Sequence, residues 1–211
     1  MLIRLDSLEA LENMKLIGVA TADSRAYYSI MTRLKRTNLH FISLTPAKAV
    51  EQGFWPVITT KREMGDFRFA SISIEELDED PLIMEGQILS YALHRAKQIL
   101  LIGVDPGLRM GMAVYYGGMK LGSLTFNSLE LLRRKILAVV QTIPHAKAFV
   151  RIGNGSPRQS KAIAETIKEH VPGVVVEIVD ENGTSVANST GLTRDQIAAG
   201  KIAFRKGVPF R

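Results

Sequence analysis

Four carboxylates in the second half of the chain are of a type and placing that could do chemistry: Asp105, Asp180, Glu181 and Asp195. Asp105 ends the apolar run ILLIGV (99–104) and is followed by Pro106-Gly107. Asp180 and Glu181 follow VVVEIV (174–179), and Asp195 lies in the first turn of a helix that Thr193 can cap. Each has a plain reading on its own. Asp-Pro-Gly is turn chemistry, Asp180-Glu181-Asn182-Gly183 is a polar loop, and Asp195 suits the positive end of a helix dipole. Taken together they suggest a pocket, because a first strand and a later parallel strand end on one edge of a sheet. Asp195 shares a helix face with Ala198, Ala199 and Ile202, whose small members let the helix lie close to that sheet. Converging carboxylates raise one another's pKa, and a divalent cation relieves the repulsion. All-oxygen ligands suit Mg2+ or Mn2+, while His40, His94, His145 and His170 fit no zinc spacing. One or two such ions against a phosphodiester would orient a water and neutralise the leaving oxygen. The residues therefore point to metal-dependent phosphodiester hydrolysis, with three or four of Asp105, Asp180, Glu181 and Asp195 sharing the ion.

Strands and helices must hold these groups in place. ILLIGV (99–104), MGMAVYYG (110–117) and KLGSLTFN (120–127) read as three strands on short turns, hence antiparallel, with Gly117-Gly118 as a hairpin signal. Ser128 caps a helix to about 142, whose leucines, isoleucine and valines form one apolar face. AFVRIG (148–153), a helix over 158–170, VVVEIV and the Thr193-capped helix complete the order β-β-β-α-β-α-β-α. The first half alternates strand and helix: KLIGVAT (15–21), a helix over 24–37, NLHFISL (38–44), a short helix over 46–52 and WPVITTK (55–61). This is a small parallel α/β pattern with no glycine-rich phosphate loop, so it has a shape but no assigned chemistry. The acidic run EELDED (75–80) before Pro81 divides the chain into a domain over 1–80, a connecting helix over 81–98 and a domain over 99–211.

Charge divides at the same place. Residues 1–94 hold 10 Lys/Arg against 13 Asp/Glu, a net −3; residues 95–211 hold 17 against 8, a net +9. A polyanion, DNA or RNA, is the natural partner of the basic half, and Arg109, Arg151, Arg158, Lys161 and Arg194 are the candidate contacts. Individually each is an ordinary solvated cation. The chain has no cysteine and no apolar run of about 18 residues, and its first residues lack a signal peptide's pattern. The expectation is a cytoplasmic protein with no membrane partner.

The motifs IGVDPGLRMGMAV, VRIGNGSP, IVDENGTS and TRDQIAAGKIA resemble the RNase H-like superfamily, nearest its RuvC-like and YqgF-like resolvase branch, over about 99–205. The resemblance implies a mixed five-stranded RNase H-like sheet and a two-metal nuclease ligated by Asp105, Glu181 and Asp195. It also implies a homodimer by analogy. Resolvases place an acid on the fourth strand, where this chain has Arg151-Ile152-Gly153. Two other readings stand beside it: a nucleic-acid-binding protein with a degraded site, and an ATPase of the actin or sugar-kinase kind.

Overall fold

The computed structural model describes residues 16–53, 56–67, 71–93, 98–181 and 193–211. Trp55, His94, the end of the helix expected to reach residue 97, and Asn182 to Ser185 lie outside them. The chain divides into two compact units, residues 1–92 and 93–211.

In the first unit β1 (Leu16–Ala20), β2 (His40–Leu44), β3 (Val57–Thr59) and β4 (Ser71–Ser73) form one parallel sheet in the order β2-β1-β3-β4. Parallel strands are buried on both faces, and in the central strands Ile17, Val19 and Ile58 are fully buried. Helix α1 (Ser24–Leu34) starts at Asp23, whose side chain accepts from the N–H groups of Arg25 and Ala26. Helix α2 (Pro46–Glu51) starts at Thr45, with proline at its first position. Helix α3 (Pro81–Ala92) is apolar nearly all round, with nine residues buried, and belongs to this unit. Its buried Glu85 accepts from the Asn38 N–H at 2.9 Å, which offsets the cost of placing a carboxylate inside.

The second unit is a six-stranded mixed sheet ordered β10-β9-β8-β5-β6-β7. Strands β5 (Ile99–Asp105), β6 (Met110–Tyr116) and β7 (Met119–Phe126) are antiparallel neighbours. Gly117 and Gly118 make the last turn at φ of 57° and 87°, values that favour glycine. Strands β8 (Lys147–Gly153) and β9 (Val175–Val179) add in parallel through α4 (Leu129–Thr142) and α5 (Pro157–His170). The two-residue β10 (Val208–Pro209) is a sixth strand beyond the expected five. On β5, Leu100, Ile102 and Val104 face one side and are fully buried. Helix α6 (Arg194–Phe204) lies on the other side, along β5 and β6.

Two glycines set how close α6 lies. A Cβ on Gly103 would collide with the Ala199 carbonyl and with Ala203, and a Cβ on Gly111 with the Asp195 carbonyl. Small residues on both partners therefore bring backbone onto backbone. Gly111 is the register partner of Asp105, so this seating carries Asp195 to the strand end where Asp105 stands.

Candidate functional site

The first unit has its cleft where its strand order reverses. Beyond the carboxyl ends of β1 and β3, Ala22, Asp23, Ala26, Thr60, Arg62, Glu63 and Glu75 line an open space of about 700 Å³. Glu63 spans it. One oxygen accepts from the hydroxyls of Thr21 (2.5 Å), Thr60 (2.8 Å) and Thr59 (3.2 Å), and the other from the Ala22 N–H (2.8 Å). Burial pushes the Glu63 carboxyl up, but these donors outweigh it and hold the group below its ordinary 4.5. Glu75 accepts from Ser73 and from the Lys61 N–H, and is also lowered, its partial burial opposing and its donors prevailing. Both carboxylates are thus ionised latches between loops. No sequence motif marks them, because Thr21, Thr59, Thr60 and Glu63 meet only once β1 and β3 are side by side.

The second unit brings Asp105, Glu181 and Asp195 into one electrostatic neighbourhood. Burial pushes Asp105 up first, and the charges of Glu181 and Asp195 push it further, from 3.8 to about 7. Glu181 sits in a glycine cradle. A Cβ on Gly153 or Gly155 would strike its carboxylate, the Gly155 N–H donates to it at 2.9 Å, and its own N–H donates to Asn154 Oδ1 at 3.2 Å. The Gly153–Ser156 loop thus directs this donor to Glu181. Asp195 is fixed by the capping box of Thr193 and Gln196, and Gln196 also reaches the Ser123 carbonyl on β7 at 3.2 Å. Arg109 Nε stands 3.8 Å from Asp195 Oδ2. Asp180 is exposed, its backbone carbonyl bonded by Arg205, and it is not among the charges that raise Asp105.

Among the described residues, no group of three or more His, Cys, Asp or Glu side chains is gathered closely enough to hold a metal ion. The charges of Glu181 and Asp195 reach Asp105 through space. The basic candidates also separate. Arg151 pairs with Glu177 at 2.7 Å, and its guanidinium donates to the Ala203 carbonyl at 2.7 Å, an internal clasp directly across the β8–β9 register. Lys161 stands 3.7 Å from Glu165 on α5, while Arg109, Arg158 and Arg194 are exposed. Among the described residues no helix is long and apolar enough to cross a membrane.

A family model for a response regulator receiver-like domain matches residues 16–82, about a third of the chain. No curated protein matches the chain significantly. The match overturns the assignment to the resolvase-like branch of the RNase H-like superfamily, and with it the nuclease function, its nucleic-acid-binding and ATPase variants and the hydrolase description. It falls on the half of the chain whose sequence carries no recognisable chemistry. The conspicuous strand-end carboxylates lie in the second unit, whereas the match lies on first-unit residues that form their cleft only once β1 and β3 are side by side.

Proposed function

We propose that the protein is a signalling chain of receiver type, whose first unit takes up a signal at the carboxyl edge of its parallel sheet and passes it to the second. One coincidence carries this reading: the receiver-like match and the cleft at the strand-order reversal fall on the same residues. In open parallel sheets that crevice is where ligands bind. Glu63 is the moving part of the reading, since its carboxylate ties the loop after β1 to the end of β3. A group that competes for its donors or its charge releases that loop. Three carboxylates against one guanidinium in the lining favour a cationic group.

For the second unit, the order β9-β8-β5-β6-β7 with two helical crossovers supports an RNase H-like arrangement as a fold alone. Its Asp105 pocket takes up a proton near neutrality, which gives the signal a property to act on.

Signalling requires transmission, and that is what the experiment reads. Amide hydrogen exchange is compared between the full chain and Glu63→Gln at pH 7. Exchange over 21–26 and 60–66 is expected to rise about tenfold as the latch opens, and protection within 93–211 to change with it. Release of 21–26 with no change anywhere in 93–211 refutes the receiver reading.

A further inference from the structure

One end of the sheet in the second unit carries exposed apolar side chains. Helix α6 ends at Phe204, one residue past the point where Ala203 lies on Gly103. On the same face β5 continues toward its amino end through Leu101 and Ile99, beyond the last residue of α6. Ile99 is 48% exposed and Phe204 59%, whereas Leu100, on the opposite face between Ile99 and Leu101, is fully buried. The strand register places half-buried Phe149 and Tyr115 on either side of Leu101, and Val175 beyond Phe149. Phe204 stands edge-on to Tyr115 with ring centroids 4.7 Å apart, so helix end and strands form one continuous apolar area. A contiguous patch of this kind marks an interaction surface, unlike a lone exposed leucine.

We infer that this face is the docking site for an acid-flanked amphipathic helix of a partner protein. The apolar floor meets the partner's apolar stripe, laid over the strands as α6 is laid over their other ends. Charge selects the occupant. Lys147 stands 4.9 Å from the Phe149 ring, and Lys120 is the register neighbour of Tyr115. The strand positions on this face at this end carry no carboxylate, and residues 95–211 hold 17 basic against 8 acidic side chains. A second copy would set one cationic rim against another, whereas glutamates beside the apolar stripe complement it. An apolar centre likewise gives a nucleic acid nothing to pair with.

The test uses the full chain and a fluorescein-labelled 18-residue peptide carrying leucines at i, i+3, i+4 and i+7 and glutamates elsewhere. The comparison probes are the same peptide with lysines for glutamates, and vesicles of phosphatidylglycerol. By anisotropy the glutamate peptide is expected to bind saturably with a Kd of about 1–50 μM, and the lysine peptide at least about tenfold more weakly. Ile99→Glu is expected to weaken the glutamate peptide at least about tenfold, and Phe204→Ala, at the exposed helix end, about threefold or more. Equal affinity for both peptides, or full affinity in both variants, overturns the proposal. So does binding to vesicles without peptide binding, or a dimer in sedimentation that Ile99→Glu dissolves.

Discussion

Replacing Asp105 with asparagine separates the cost of its charge from the shape of its side chain. A carboxyl held at about 7 in the folded chain, against an ordinary 3.8, keeps its proton where the unfolded chain has lost it. Between those values the folded state binds more protons, so stability falls as pH rises, and above about 7 the full penalty is present. The ceiling is about 4 kcal/mol. Because Asp105 still reaches water, screening reduces the expected penalty to roughly 1–2 kcal/mol. Asparagine stays neutral throughout. Asp105→Asn is therefore expected to match the parent within about 0.5 kcal/mol at pH 3, below both values, and to exceed it by roughly 1–2 kcal/mol at pH 8. Urea unfolding at pH 3, 5, 7 and 8, followed by a probe in the second unit, measures the difference, and carboxyl NMR of the parent places the titration. A difference that is flat with pH refutes the claim that neighbouring charge and burial raise this group.

Gly103→Ala should lift α6 from the sheet and cost roughly 1–3 kcal/mol; it should also draw the Asp105 titration back toward 3.8, because burial and the Asp195 charge recede together, and an unchanged Asp105 would contradict that. Glu63→Gln should destabilise the first unit by roughly 1–3 kcal/mol at pH 7. Since the folded Glu63 lies below 4.5, its stabilisation is present above that value and lost as pH falls, so unfolding curves at pH 3 should show the gap closing. Arg151→Met leaves Glu177 buried without its cation and should cost about 3–5 kcal/mol. The double change Arg151→Met with Glu177→Met should recover much of that in the same denaturation assay, because no isolated charge remains.

Local signals were legible from residues that act on near neighbours. Thr193 and Ser128 cap the helices they precede, Gly117-Gly118 turns with positive φ, and Ala199 lies against the sheet as its spacing foretells. Other features were hidden because their partners lie far along the chain. Arg151 reads as a free cation until β8 and β9 align it with Glu177, 26 residues away. The Glu63 latch gathers hydroxyls from two strand ends, and β4, at three residues, is too short to show a period. The Gly153–Ser156 loop has the composition of a ligand-binding turn, yet the nearest acceptor is a side chain of the same unit. The receiver-like match was hidden for a similar reason: the first unit carries no catalytic motif, while the second displays its carboxylates at conspicuous strand ends.

Helix α6 touches both features of the second unit. Its first turn holds Asp195 and its last residue is Phe204, about 13.5 Å apart along the axis. Between them, Gly103 and Gly111 admit backbone with no room for slack, so the rod has no soft middle in which a push could dissipate. A load placed on Phe204 must tilt or slide the whole cylinder, and the carboxylate at its far end would travel with it, like a pen pressed at the cap.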